Sequence, residues 1–158
     1  DYATQHLHIL YHWAGINYFN LHGAGDDPYS AEGYEREYRS LMKMIFLKLT
    51  GSKNRKGLNI GMGQWVAQRP EYKGIDHKSA SDAFIKKHQS IINFFYDKNT
   101  SRKLQNTDSL VSQDVITELL NEGILALDIH DSFIVQREYE HIWRPDAELL
   151  GISCTGSE

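Results

Sequence analysis

Two apolar, β-compatible runs stand almost end to end near the close of the chain: Ile124-Leu125-Ala126-Leu127-Asp128-Ile129 and Ser132-Phe133-Ile134-Val135. Only His130 and Asp131 separate them, so the segment from Gly123 to Val135 is expected to be a strand, a tight turn and a strand. Two strands alone are marginal in water. A hairpin this apolar must lay at least one face on other elements, and the rest of the chain has to supply them.

What it supplies reads as helices. Leu7, Leu10, Tyr11 and Ala14 recur at helical spacing and Gly15 stops the pattern, so residues 1–15 are expected to be a strand end running into a helix. Residues 17–33 hold Gly23, Gly25, Asp26, Asp27, Pro28 and Gly33 and read as a loop. Tyr38, Leu41, Met42, Ile45 and Leu49 form a stripe on a helix over 34–49, ended by Gly51. Residues 52–78 are polar and rich in glycine, with at most a short helix around Trp65.

The clearest helix is expected over 79–97, capped by Ser79 or Ser81, with Phe84, His88, Ile91, Ile92 and Phe95 on one face. A basic connection over 97–106 then leads to an amphipathic helix over 107–122, closed by Gly123. The fold class is α+β: a small antiparallel sheet packed against several helices.

At 158 residues, 41% hydrophobic and 24% charged, the chain suits one soluble domain with a real core. The net charge of -4 argues mildly against a nucleic-acid partner, but basic clusters at Lys86-Lys87 and Arg102-Lys103 leave room for a basic groove. The single cysteine, Cys154, permits no disulfide within the chain and fits a reducing, cytoplasmic setting. No apolar run approaches the ~20 residues of a membrane-spanning helix, and no signal-peptide pattern opens the chain. The chain starts at Asp1 without a methionine, so it is expected to be a piece of a longer protein.

Several residues invite a chemical reading beside a plain one. Asp131 at a hairpin turn is a metal-ligand candidate, yet on composition alone an aspartate there is more readily a turn former. Arg39 and Lys43 stand four apart and share a helix face, a spacing that suits two cations on one polyanion. With Glu35, Arg36 and Glu37 beside them, a solvated face is the readier explanation of the pair taken alone. Asp1, a second carboxylate, would complete the minimum for two divalent ions ~3.5–4 Å apart.

His8 and His12 have zinc-ligand spacing but no third ligand, and read as ordinary histidines. The basic run at 52–57, with Lys53 and Arg55, can touch phosphates or simply be solvated. Gly61-x-Gly63 lacks the context of a phosphate loop. Trp13, Trp65 and Trp143 are dispersed and read as core or edge residues.

Taken in order, Asp1-Tyr2 with His6, then Arg39-x-x-x-Lys43, then Leu104-Gln105, then His130-Asp131-Ser132 resembles the palm and fingers motifs of family A DNA polymerases and phage-type single-subunit RNA polymerases. The resemblance spans roughly residues 1–135 and implies a palm-like core over 1–143, with a reduced fingers region at about 34–51 and a tail over 144–158. It implies that Asp1 and Asp131 bind two Mg²⁺ and that Arg39 and Lys43 hold the triphosphate of a nucleoside triphosphate. Tyr2 and His6 would lie at the nucleotide, His6 where the DNA polymerases carry a glutamate. Gln105, at a helix start, would contact the template-primer, and His130 would approach the primer terminus.

The departures are specific. The family has an aromatic residue and then Tyr-Gly after the helix lysine, whereas Met44 to Gly51 contains no tyrosine and Gly51 takes the tyrosine position. Neither a thumb nor an exonuclease is recognisable. The expected function is template-directed nucleotidyl transfer in DNA replication, in a bacterial, phage or mobile-element setting. The alternatives are a palm-like nucleic-acid-binding or assembly module without catalysis, and a nuclease using the same carboxylates.

Overall fold

The computed structural model describes residues 4–129 and 132–139. It is mostly helical with one small antiparallel sheet, a mixed α+β chain. The helices are α1 (Gln5–Trp13), α2 (Tyr18–His22), α3 (Arg39–Gly51), α4 (Arg55–Ala67), α5 (His77–Lys87) and α6 (Lys98–Asn121). The strands are β1 (Ala126–Ile129) and β2 (Ser132–Val135). Contacts group the chain into two units, one of His6–Leu104 and another made of the residues up to Gln5 together with those from Gln105 onward.

The first unit is built on α3, α4 and α5, which pack pairwise on one another. Leu41, Met42, Ile45, Phe46 and Leu49 of α3, Leu58 and Met62 of α4, and Ala80 and Phe84 of α5 form the centre, joined by Leu7, Leu10 and Tyr11 of α1. The apolar stripes of α1 and α3 thus point inward as their spacing requires. The first helix stops where a left-handed residue is needed. Gly15 has φ +72°, its N–H reaches His12 O, and the Ile16 N–H reaches Tyr11 O, a pairing that satisfies the last carbonyls of the helix.

Several boundaries differ from the sequence expectation. The helix expected from residue 34 begins at Arg39 and runs through Gly51 to a cap at Ser52, and the first strand begins at Ala126 rather than Ile124. Other differences have local reasons. A full helix, α4, occupies 55–67, where glycines suggested irregular structure. Asn54 caps it by accepting the Gly57 N–H. Its glycines admit a neighbour: a Cβ at Gly61 would stand 3.2 Å from Lys48 Cδ.

The helix expected over 79–97 starts earlier, capped by Asp76, whose carboxylate takes the Lys78 N–H and the Ser79 hydroxyl. It ends at Lys87 and continues as a 3₁₀ turn over Gln89–Phe94. Phe84, His88, Ile91 and Phe95 still face inward, because a spacing of three or four suits both helix types. Tyr96 then turns with φ +62° and donates its N–H to Leu49 O.

The basic connection expected over 97–106 is instead the first part of α6. Asp97 accepts the Asn99 N–H, and Thr100 and Leu104 are buried. A smaller difference is that α2, capped by Asn17, lies within the expected loop.

In the second unit β1 and β2 pair antiparallel, with Ala126 opposite Val135 and Ile129 opposite Ser132. α6 ends at the expected glycine: Gly123 has φ +79°, and the Gly123 and Ile124 N–H groups reach Leu120 O and Leu119 O. Leu119, Ile124 and Ala126 form a small core with Val115, Ile116, Val135 and Tyr139. The opposite face, with Leu127, Ile129 and Ile134, is exposed.

The capping assignment is checkable. Asp76→Ala is expected to cost about 1 kcal/mol in denaturant unfolding, and Ser79→Ala a smaller fraction of that. Equal losses would return the cap to Ser79.

Candidate functional site

The described side chains with the densest polar contacts lie in the first unit, around residues 25–30 and the C-terminal end of α5. Lys87 closes α5, and its side chain is only 13% exposed. Its ammonium pairs with Asp26 Oδ2 at 2.7 Å and donates to Asp27 O at 2.8 Å and to Ser30 Oγ at 3.2 Å. A largely enclosed ammonium has three protons to place, and these three acceptors take them. Tyr18 donates its hydroxyl to the same Asp26 oxygen. Burial alone would raise the Asp26 carboxyl, but the hydrogen bonds from Lys87 and Tyr18 outweigh it and hold the group below its ordinary value. Tyr18 moves the other way, raised by burial and by the carboxylate it serves.

The next residue, His88, is buried and bonds through both ring nitrogens. Nε2 lies 2.9 Å from Pro28 O, and Nδ1 lies 2.9 Å from the Tyr11 hydroxyl. A carbonyl only accepts, so the proton sits on Nε2 and Tyr11 donates to Nδ1. The Tyr11 oxygen then accepts from His22 Nε2 at 3.1 Å. The chain His22, Tyr11, His88, Pro28 has one direction and ties α1, α2 and α5 to the loop.

On the far side of this loop Asp27 divides its carboxylate. Oδ1 accepts the Tyr29 N–H at 2.9 Å, and Oδ2 accepts the Arg39 Nε–H at 2.9 Å. The Arg39 guanidinium also lies over the Tyr29 ring, 5.2 Å from its centroid. Gly25, Asp26, Asp27, Ser30, Glu35, Arg36 and Arg39 line an open cavity of about 720 Å³ there. A second cavity, of about 490 Å³, is lined by His8, His12, Gly15, Ile16, Asn17, Tyr18 and Phe19.

The residues singled out from sequence fall as follows. Arg39 opens α3 and Lys43 stands one turn further on, both half-buried. His6 lies in α1. Lys53 is exposed after α3, and Arg55 opens α4, where it pairs with Asp82 at 2.6 Å and reaches Lys78 O at 3.3 Å. Gln105, expected at a helix start, sits exposed well inside α6. Asp1, Tyr2, His130 and Asp131 lie outside the described residues. Among the described residues no group of three or more His, Cys, Asp or Glu side chains could hold a metal ion, and Asp26 and Asp27 are engaged by Lys87 and Arg39.

Asp27, Lys87 and His88 were not read as site residues from sequence. Lys86-Lys87 reads in sequence as a basic cluster that could line a groove, yet Lys87 is enclosed, while Lys86 pairs at the surface with Glu32. In sequence this region shows only as the loop that holds Asp26, Asp27 and Pro28; the cations that meet it come from α3 and α5.

Compared with known proteins, the chain matches no family model, no curated protein and no solved structure. No described helix is long and apolar enough to cross a membrane.

The histidine network has a pH signature. Burial, partly offset by the hydrogen bond to Pro28 and reinforced by the charge of Lys87, pushes the His88 imidazole down to about 3 from its ordinary 6.5. A neutral form favoured by folding contributes stability that is full above the unfolded value and is lost as pH falls from 6.5 toward 3. Within that window the loss is roughly 1.4 kcal/mol per pH unit for this one group. Urea unfolding measured from pH 7 to pH 4 is therefore expected to weaken steeply. His88→Gln should be less stable at pH 7 but show a flatter dependence.

Proposed function

We propose that this chain is the core of a template-directed nucleotidyltransferase of palm type. The reaction would be attack of a primer 3′-hydroxyl on the α-phosphate of a nucleoside triphosphate. The observation that carries the reading is the order of the motifs on their elements. Asp1-Tyr2 precedes α1, Arg39 and Lys43 stand one turn apart at the head of α3, and His130-Asp131 falls between the paired strands β1 and β2 in sequence.

The chemistry asks for these residue types. A triphosphate needs a fork of donors and a point charge, which Arg and Lys supply from one helix face. Arg39 and Lys43 would hold the triphosphate and offset the charge that develops on the leaving pyrophosphate. Asp1 and Asp131 would hold two Mg²⁺, which when bound stabilise the attacking and leaving oxygens. Gln105, His130, Lys53 and Arg55 would face template-primer. Completing the reaction cycle would call on further domains, in a phage, plasmid or bacterial replication setting.

The direct test is Mg²⁺-dependent nucleotide incorporation on a primed template. The expected result is extension by the parent protein and a loss of at least a hundredfold in Asp131→Ala. Equal extension by both would remove Asp131 from the site. Salt-sensitive binding of DNA or RNA without dependence on Mg²⁺ or nucleotide would favour a palm-like binding module instead. Cleavage of labelled DNA in Mg²⁺ without nucleotides would favour a nuclease.

A further inference from the structure

The Asp27 contact to Arg39 has a geometry that a simple surface ion pair does not need. Asp27 is fixed before it meets the arginine: Oδ1 takes the Tyr29 N–H at 2.9 Å, and its backbone carbonyl takes the Ser30 N–H at 2.9 Å and the Lys87 ammonium at 2.8 Å. The remaining carboxylate oxygen, Oδ2, meets Arg39 through Nε at 2.9 Å. The ring of Tyr29, itself buried, covers one face of the guanidinium at 5.2 Å. One edge and one face of the group are thus occupied. The hydrogen bond to Asp27 runs through Nε, and Arg39 lines the open cavity with Asp26, Ser30, Glu35 and Arg36.

We infer that Asp27 and Tyr29 are positioning residues for Arg39, holding its guanidinium so that the terminal fork faces a polyphosphate ligand. The inference rests on the nucleotidyl-transfer reading only for the class of ligand. An arginine has five donors in a rigid fork, and tying Nε leaves the end-on pair for two phosphate oxygens. Fixing the side chain beforehand removes much of the ordering cost of binding. An aspartate is required because two acceptors are used in opposite directions. Asparagine offers one acceptor and one donor there, and cannot serve both the Tyr29 N–H and Arg39.

The probes are inorganic tripolyphosphate and ATP, titrated calorimetrically against the full chain. Arg39→Ala is expected to weaken binding by tenfold or more. Asp27→Asn is expected to weaken it three- to tenfold although it removes a negative charge. A second measurement needs no variant. The Arg39 Nε–H signal in ¹⁵N-labelled protein should stay protected from exchange as tripolyphosphate is added.

Unchanged or tighter binding by Asp27→Asn, or loss of the Nε–H signal on adding ligand, overturns the positioning role and makes Asp27 a competitor for Arg39. If Arg39→Ala binds as well as the parent, or the parent binds neither probe, the polyphosphate reading fails as well. If Arg39→Ala loses binding while Asp27→Asn keeps it, only the positioning role falls.

Discussion

The end of α5 carries the constraint on which the first unit depends. Lys87 and His88 are consecutive, and between them they hold the 26–30 loop by four polar contacts: Asp26, the carbonyls of Asp27 and Pro28, and the Ser30 hydroxyl. Neither residue could be withdrawn from water without them. An enclosed ammonium or imidazole that lacked partners would cost several kcal/mol. The loop is equally dependent, since a backbone turn enclosed among helices needs its carbonyls satisfied. Each side therefore makes the other tolerable, and the coupling explains why α5 stops at Lys87. Continuing the α-helix past His88 would compete with the geometry that puts its ring between Pro28 and Tyr11.

This coupling reaches α3 through one residue. Asp27 is held by Lys87 at its carbonyl and holds Arg39 with its side chain. The pair is about one third exposed on each side, so its net contribution to stability is small, ~0–1 kcal/mol. Its consequence is geometric: it sets where an arginine at the head of a helix points. Because the carboxylate is braced by the Tyr29 N–H, the arginine gains an anchor that does not itself need ordering.

What the sequence made legible was whatever depends on local pattern. The apolar stripes of α1 and α3 and the glycine ends at Gly15 and Gly123 follow from periodicity and from φ > 0 requirements, and so does the pairing of 126–129 with 132–135. What it hid depends on distant partners. Gly57, Gly61 and Gly63 read as loop because their helix is stabilised by Leu58 and Met62 packing on α3 and α5, not by propensity. The stripe through Phe84, His88, Ile91 and Phe95 was correct in burial and wrong in continuity, because the break is made by His88 and by the Tyr96 N–H reaching Leu49 O. Arg39 and Lys43 were visible as a spaced pair, while Asp27 was visible only as a loop former; nothing local says that its second oxygen serves a residue twelve positions away.

The charge balance has to be reconsidered in the same terms. Counting basic clusters suggested that an acidic chain could still offer a basic groove. Within the fold, however, Arg39, Arg55, Lys86 and Lys87 are each paired with a carboxylate, and so contribute little unopposed field at long range. A ligand phosphate would then be recognised by a few donors held in place rather than by a broad positive surface. A guanidinium suits that regime better than an ammonium. Its charge is spread over three nitrogens, so one edge can be tied to a carboxylate while the other still forks to an oxyanion. Lys87, a point charge with all three protons placed, has nothing left to offer. Two cations beside the same loop are thereby divided by chemistry: one is consumed in building the loop, and the other is held by it through Nε.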